Sequence, residues 1–299
     1  MTRARLSLLL PLARAGRVDW WLGSYNRNYT AQNTQFVAAH RMDGVLYCCT
    51  GLEVLVNGSV APPDAKLLSD LARLAHSKGG AMLPVSPSIG SILSGTAVLA
   101  VSELVKLTRA SRADGLVCDY EPHVNTTASH ATAYAGFLTE LAIELHAAGL
   151  KLAVCISDWG ILGATHWPVL RSARADSYVS MGSTYKRQGV IGGDALGKAH
   201  VLEMQAVFAA GELVIGIGSM APTTCEHLTD DYGWDESSLA AFVDWLQQRG
   251  VEAIAVWRAD IASLLYHETS YCGVQPWMYP ILDLFRNASV NGTVPRSTR

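Results

Sequence analysis

A chain of 299 residues with 49% hydrophobic and 16% charged side chains can bury a large core, which excludes a disordered protein. Its net charge of -3, with no run of like charges, argues against a nucleic-acid or anionic-membrane surface. No apolar stretch reaches the ~18 residues that a membrane helix needs.

The N-terminus predicts a short signal peptide. Thr2-Arg3-Ala4-Arg5 is basic, Leu6 to Ala13 is apolar, and Ala13-Arg14-Ala15 is a small-x-small site. Cleavage is expected after Ala15, leaving residues 16–299 as one domain in a secretory or lysosomal-vacuolar compartment. A disordered basic start is the competing reading. Glycosylation sequons at Asn28, Asn57, Asn125, Asn287 and Asn291 fall in expected loops or the tail and fit a secreted chain.

From Val18 onward, apolar runs alternate with amphipathic segments. Val18 to Gly23 predicts a first strand, followed by a polar loop rich in Asn and Tyr. Gly44 to Thr50 predicts a second strand, with Leu52 to Val60 a hairpin-like excursion. Pro62-Pro63-Asp64 opens a helix over Ala65 to Ser77, with Leu67, Leu68, Leu71, Leu74 and Ala75 on one face. Ala81 to Val85 is a third strand and Thr96 to Ala110 the next helix. An apolar run from Gly115 follows as a fourth strand, then a helix over Ala131 to Ala148. Leu152 to Ser157 is a fifth strand, Val169 to Arg174 a short helix, and Ser177 to Met181 a sixth strand. A helix over Ala195 to Ala210 leads to a seventh strand over Leu213 to Ile217. A helix from Asp235 to Gln248 leads to an eighth, Val251 to Val256, and Pro276 to Phe285 is a last helix.

Eight strands in strict alternation with helices predict an α/β protein, a single (β/α)8 TIM barrel. The rival is an open doubly wound sheet. Its Gly-rich dinucleotide fingerprint is missing after the first strand, where Gly23-Ser24-Tyr25-Asn26 stands instead. No internal repeat or linker is visible. Among the six cysteines, Cys48, Cys49, Cys118 and Cys155 lie in apolar strands and are expected as core thiols. Cys225 and Cys272 lie in polar loops after late strands and are the pair expected to form a disulfide.

The stretch that carries chemistry is Asp114-Gly115-Leu116-Val117-Cys118-Asp119-Tyr120-Glu121-Pro122. Strand side chains alternate faces, so Leu116, Cys118 and Tyr120 share one face, and Val117, Asp119 and Glu121 the other. The two carboxylates would lie roughly 7 Å apart, close enough for one charge to perturb the other. Pro122 ends the strand. Acids at the end of an inward strand face belong at the C-terminal mouth of a parallel barrel, where barrel enzymes do their chemistry. Two solvated acids at a strand end are the alternative, and it would not need both on one face.

Asp114-Gly115, Asp119 and Glu121 resemble the signature of glycoside hydrolase family 18, the chitinases and their relatives. That signature is Asp-Gly, then two further Asp and a Glu at every second position; Val117 stands where the first of the later aspartates belongs. The likeness continues along the chain. The stretch from Ser86 through Ser88 to Ser91 is similar to the family's Ser-x-Gly-Gly, with Ser91 for the second Gly. Met181, Ser183 and Tyr185 resemble its Met-x-Tyr segment with altered spacing, the eighth strand ends in Trp257, and Pro276-Trp277 resembles the closing-helix pattern.

The resemblance implies hydrolysis of β-linkages after N-acetylglucosamine, in chitin oligomers or the chitobiose core of N-glycans, by substrate-assisted retention. It implies Glu121 as general acid, Asp119 as holder of the acetamide N–H, and Tyr185 as support for the acetamide oxygen. Trp257 would form the floor under the sugar ring, with Met181, Ser183 and Ser88 as further contacts. Asp158 and Trp159 after the fifth strand are either sugar contacts or ordinary loop residues. In the family the missing aspartate shares a proton with the middle one, so Val117 implies slower turnover or a shifted pH optimum.

Competing sites fare worse. Cys118 with His123 could suggest a thiol nucleophile, but Cys118 falls on the face opposite Glu121. None of the nine His has metal-ligand spacing such as His-x-x-x-His, so neither metal nor cofactor is expected. Ser88 lacks a nucleophile-elbow context. A monomeric glycosidase and a catalytically lost sugar-binding lectin on the same barrel remain; retention of Glu121 favours the enzyme.

Overall fold

The computed structural model describes residues 16–23, 29–48, 52–61, 63–86, 89, 92–122, 127–157, 162–181, 193–218, 234–257 and 277–291. The strands are β1 (Arg17–Gly23), β2 (Gly44–Cys48), β3 (Ala81–Ser86), β4 (Gly115–Cys118), β5 (Lys151–Ile156), β6 (Ser177–Ser180), β7 (Leu213–Gly218) and β8 (Ala253–Trp257). After them in turn come α1 (Tyr29–Ala39), α2 (Ala65–Ser77), α3 (Val101–Ala110), α4 (Ala128–Ala147), α5 (Trp167–Arg171), α6 (Gly193–Val207), α7 (Glu236–Gln248) and α8 (Met278–Asn291). All strand pairs are parallel, and β1 closes the barrel by pairing with β8, Arg17 opposite Ala253 and Trp20 opposite Val256.

The closed barrel follows from how the strands divide their faces. One set of residues points out to the helices: Val18, Trp20 and Leu22 from β1, Leu116 and Cys118 from β4, Leu152, Val154 and Ile156 from β5. The other fills the barrel: Trp21, Leu46, Cys48, Val85, Val117, Ala153, Cys155, Val179, Val214, Ala253 and Ala255. Both faces are apolar, as strands covered on both sides require. The buried interior cluster is Val, Ala, Cys and one Leu besides Trp21, with Leu83, Met181 and Trp257 packed on it, so side chains fill the barrel.

The helices are set by local chemistry. The Asp64 side chain accepts from Leu67 N and starts α2, which buries Leu67, Leu68, Leu71, Ala72 and Ala75. Thr127 caps α4, so that helix begins three positions before the expected Ala131, at Ala128. Asp235 caps α7 from just outside it. The expected hairpin excursion is present: Val54 bridges Val60 antiparallel and Ile89 in parallel.

Three expectations need correction. The polar segment after β1 holds α1, which buries Asn33 as well as Phe36 and Val37; Asn33 Nδ2 donates to Gly23 O at 2.6 Å, so this helix keeps no purely apolar stripe. The helix over 96–110 is two pieces, a 3-10 turn at Thr96–Ala100 and then α3. Asn287 and Asn291 are in α8, not in a loop or tail, because that helix runs past Phe285 to Asn291; Asn287 is exposed. Asn57 is exposed in its turn, with Oδ1 accepting from Ser59 N and Oγ. Residues 1–15, Asn28, Cys49, Asn125, Cys225 and Cys272 lie outside the described residues.

Asp114 and Gly115 stand at the N-terminal end of the barrel. Asp114 Oδ2 accepts from Met82 N, the second residue of β3, at 2.8 Å. Asp43 does the same for Val18 of β1 at 3.0 Å, and Asp176 for Leu152 of β5 at 2.8 Å. Each acid sits one residue before an even-numbered strand, so the chain does carry a repeated structural device, hidden by the unlike residues around it. Gly115 follows because a Cβ there would run into the Lys151 carbonyl oxygen.

Candidate active site

β4 is shorter than the sequence predicts. It ends at Cys118, and Pro122 is not what stops it; the last ladder contact is Asp119 N donating to Ser86 O at 3.0 Å. The alternation of faces nevertheless continues past the strand. Tyr120 turns outward, its ring 5.2 Å from that of Tyr134 and its hydroxyl 3.1 Å from His130 Nε2. Asp119 turns inward and is 7% exposed. Glu121, two residues on, is half-buried and close enough for its charge to act on Asp119.

Asp119 is held in an unusual state for a carboxyl. Burial, and then the charge of Glu121, push its pKa up to about 7, while a hydrogen bond from the Cys155 thiol works the other way. Its Oδ1 is buried without a hydrogen-bond partner. The Asp119 carboxyl therefore exchanges its proton near neutral pH beside the charge of Glu121, a setting suited to acid chemistry.

An apolar wall completes the mouth. Trp257, at the end of β8, packs on the barrel interior, with its ring 5.2 Å from that of Trp21 at 67°. Its Nε1 is buried and makes no hydrogen bond. Met181 also packs on this interior, its N donating to Ile156 O at 2.7 Å just beyond β6. Of the expected site residues, the structure brings Asp119, Glu121, Met181 and Trp257 to the same end of the barrel. Ser88, Asp158, Trp159, Ser183 and Tyr185 lie outside the described residues, as does His123.

Two residues at this site escape a sequence reading. Trp21 is one; the alternation of β1 puts it on the inward face with Asp19, a signal the sequence does contain. Cys155 is the other. It is a buried free thiol, as expected, and also a donor to Asp119. Its place follows from the register of β4 on β5, Val117 opposite Ala153, which no single sequence reveals. Cys118 points away into the outer layer, as its strand position requires.

The sequence matches no family model and no curated protein. Solved structures do share the fold, and among them are chitinases. Group II chitinase catalytic domain 2 of Ostrinia furnacalis superposes with a TM-score of 0.66 at 12% identity, covering 93% of this chain and 97% of that one. A chitinase of Chromobacterium violaceum gives 0.64 at 15%, covering 91% and 99%. A spore cortex-lytic enzyme of Bacillus megaterium gives 0.64 at 13%, covering 92% and 75%. At such identities the likeness is one of fold, and the barrel spans nearly all of the chain.

Proposed function

We propose that this chain is a glycoside hydrolase that cleaves β-linked N-acetylglucosamine by substrate-assisted retention. The observation that carries the reading is Asp119, buried at the barrel mouth and held near neutrality beside Glu121. Structural likeness to chitinases supports the substrate class.

In this reaction Glu121 gives its proton to the glycosidic oxygen as the bond to the anomeric carbon breaks. The acetamide oxygen of the same sugar forms the new bond to that carbon. Asp119 accepts the acetamide N–H and balances the positive charge of the oxazolinium. Water, deprotonated by Glu121, then opens the ring and restores both groups. The sugar's C–H face rests on Trp257, which Trp21 supports from the side.

The second reading is a sugar-binding protein on the same barrel, and Val117 favours it, since this site has one carboxylate fewer than the family pattern. Incubation with a fluorogenic N-acetylchitobiose glycoside and its triose homologue separates the two. Release of the fluorophore, reduced about 10²-fold or more by Glu121→Gln, is the expected result. Binding without release by the parent protein overturns the hydrolase and leaves the lectin.

A further inference from the structure

Directly below Asp119, where the signature would place a second carboxyl, the inward face of β4 carries Val117, wholly buried. Val117 can neither give nor take a proton. The side chain that does reach Asp119 comes from the neighbouring strand. Val117 pairs with Ala153 and Cys118 with Val154, so one step further the inward residues are Asp119 and Cys155. Cys155 is wholly buried, and the register sets its thiol beside the Asp119 carboxyl, where it lowers that group's pKa.

We propose that Cys155 is a positioning residue for Asp119, a fixed thiol donor that takes the place of the absent carboxyl and turns Asp119 for its work on the acetamide. This rests on the reading of Asp119 given above. A carboxyl partner can donate or accept, and so can exchange a proton with Asp119. A thiol buried among apolar side chains stays protonated, because burial and the neighbouring acids push Cys155 upward. It therefore donates only, and a donor favours the ionised form of its acceptor. Among the described residues, the titratable groups that act on Asp119 or feel its charge are Glu121, Cys118, Cys155 from β5 and Tyr134 from α4. Among these only Cys155 favours ionisation. The thiol thus favours the ionised Asp119 that the acetamide needs.

The test compares Cys155→Ala and Cys155→Ser in the full chain. Without any sugar, infrared spectra of the parent should show one S–H stretching band that moves in Asp119→Asn and is missing in Cys155→Ala. An S–H band set that ignores Asp119→Asn overturns the bond. With the chitotriose glycoside, Cys155→Ala should lower kcat roughly 2- to 10-fold, the scale of one lost hydrogen bond, with little change in KM. The alkaline limb of the pH profile should move upward, because Asp119 keeps its proton longer. Cys155→Ser, a hydroxyl donor of similar size, should restore both. A serine variant that behaves like alanine overturns positioning in favour of simple packing. A parent that cleaves nothing overturns the hydrolase reading alone. Chitotriose affinity then decides the role of Cys155: weakened by alanine and restored by serine if it orients Asp119, unchanged by either if it does not.

Discussion

Acids at the two ends of this barrel live under opposite conditions. At the N-terminal end, Asp43, Asp114 and Asp176 each accept a backbone N–H from the preceding strand and a side-chain donor as well. Those donors are Arg286 Nε at 2.6 Å, His76 Nε2 at 2.8 Å and His146 Nε2 at 2.8 Å. Asp19, buried inside the barrel, is pushed up by burial and by the Asp43 charge, but the Arg17 guanidinium 3.0 Å away works against both. At the mouth, Asp119 is as buried as Asp19, but the charge that acts on it among the described residues is the like charge of Glu121. The same residue type is satisfied where it holds the fold and frustrated where chemistry is proposed. The first end should therefore govern stability and the second activity.

The strongest challenge to this division is Arg286→Met. Arg286 is 3% exposed, pairs with Asp283 one turn earlier in α8, and ties the helix to Asp43 and the Arg41 carbonyl. Removing it leaves Asp43 without its buried partner and should cost about 3 kcal/mol in urea unfolding. The folded fraction should hydrolyse substrate as the parent does; a loss of kcat at full folding would break the division.

Next in size is Asp119→Asn. On the proposed mechanism the charged partner of the acetamide is lost, so kcat should fall about 10²-fold, the scale of a lost stabilising group at a developing charge. Stability should not fall, since a poorly satisfied buried charge has been removed. A protein that loses its fold with this substitution would make Asp119 structural.

The boundary between what was legible in the sequence and what was not runs along the same division. Strand and helix alternation was readable because both strand faces are apolar and helices such as α2 carry a capped, regular stripe. α1 is not legible, because buried Asn33 breaks its stripe and is held there by tertiary bonds to the Gly23 carbonyl and the Tyr47 hydroxyl. The two inward acids were readable from alternation alone, even though β4 ends before them. Asp114 belongs to the same sequence signature as those acids, yet it lies at the other end of the strand and serves Met82. Cys155 could not be read, because strand register is a tertiary fact.

The pH dependence of stability sharpens the comparison further. The folded value for Asp119 is about 7, above the ~3.9 of an unfolded aspartate. Between those values the folded protein binds more protons than the unfolded one. Stability from this group is thus full below pH ~4, is lost as pH rises toward 7, and is constant above. The stability gained by Asp119→Asn over the parent should grow across that window and level off above it. A difference that stays flat in urea unfolding from pH 4 to 8 would refute the burial of an unsatisfied Asp119.

The smallest effect separates two contacts of one acid. Asp114 accepts from the backbone of Met82, which no water replaces easily, and from His76, whose side chain is 42% exposed. The first bond satisfies a strand-end N–H and should be worth about 1 kcal/mol. The second is a surface pair held in water and should be worth less than about 0.5 kcal/mol. Asp114→Ala should therefore destabilise clearly more than His76→Ala. The double substitution should be no worse than Asp114→Ala alone, because His76 acts here only through that acid. None of the three should alter kcat, since the acids of the mouth lie beyond the opposite end of β4. If His76→Ala costs as much as Asp114→Ala, the exposed pair and not the backbone bond secures this end of the barrel.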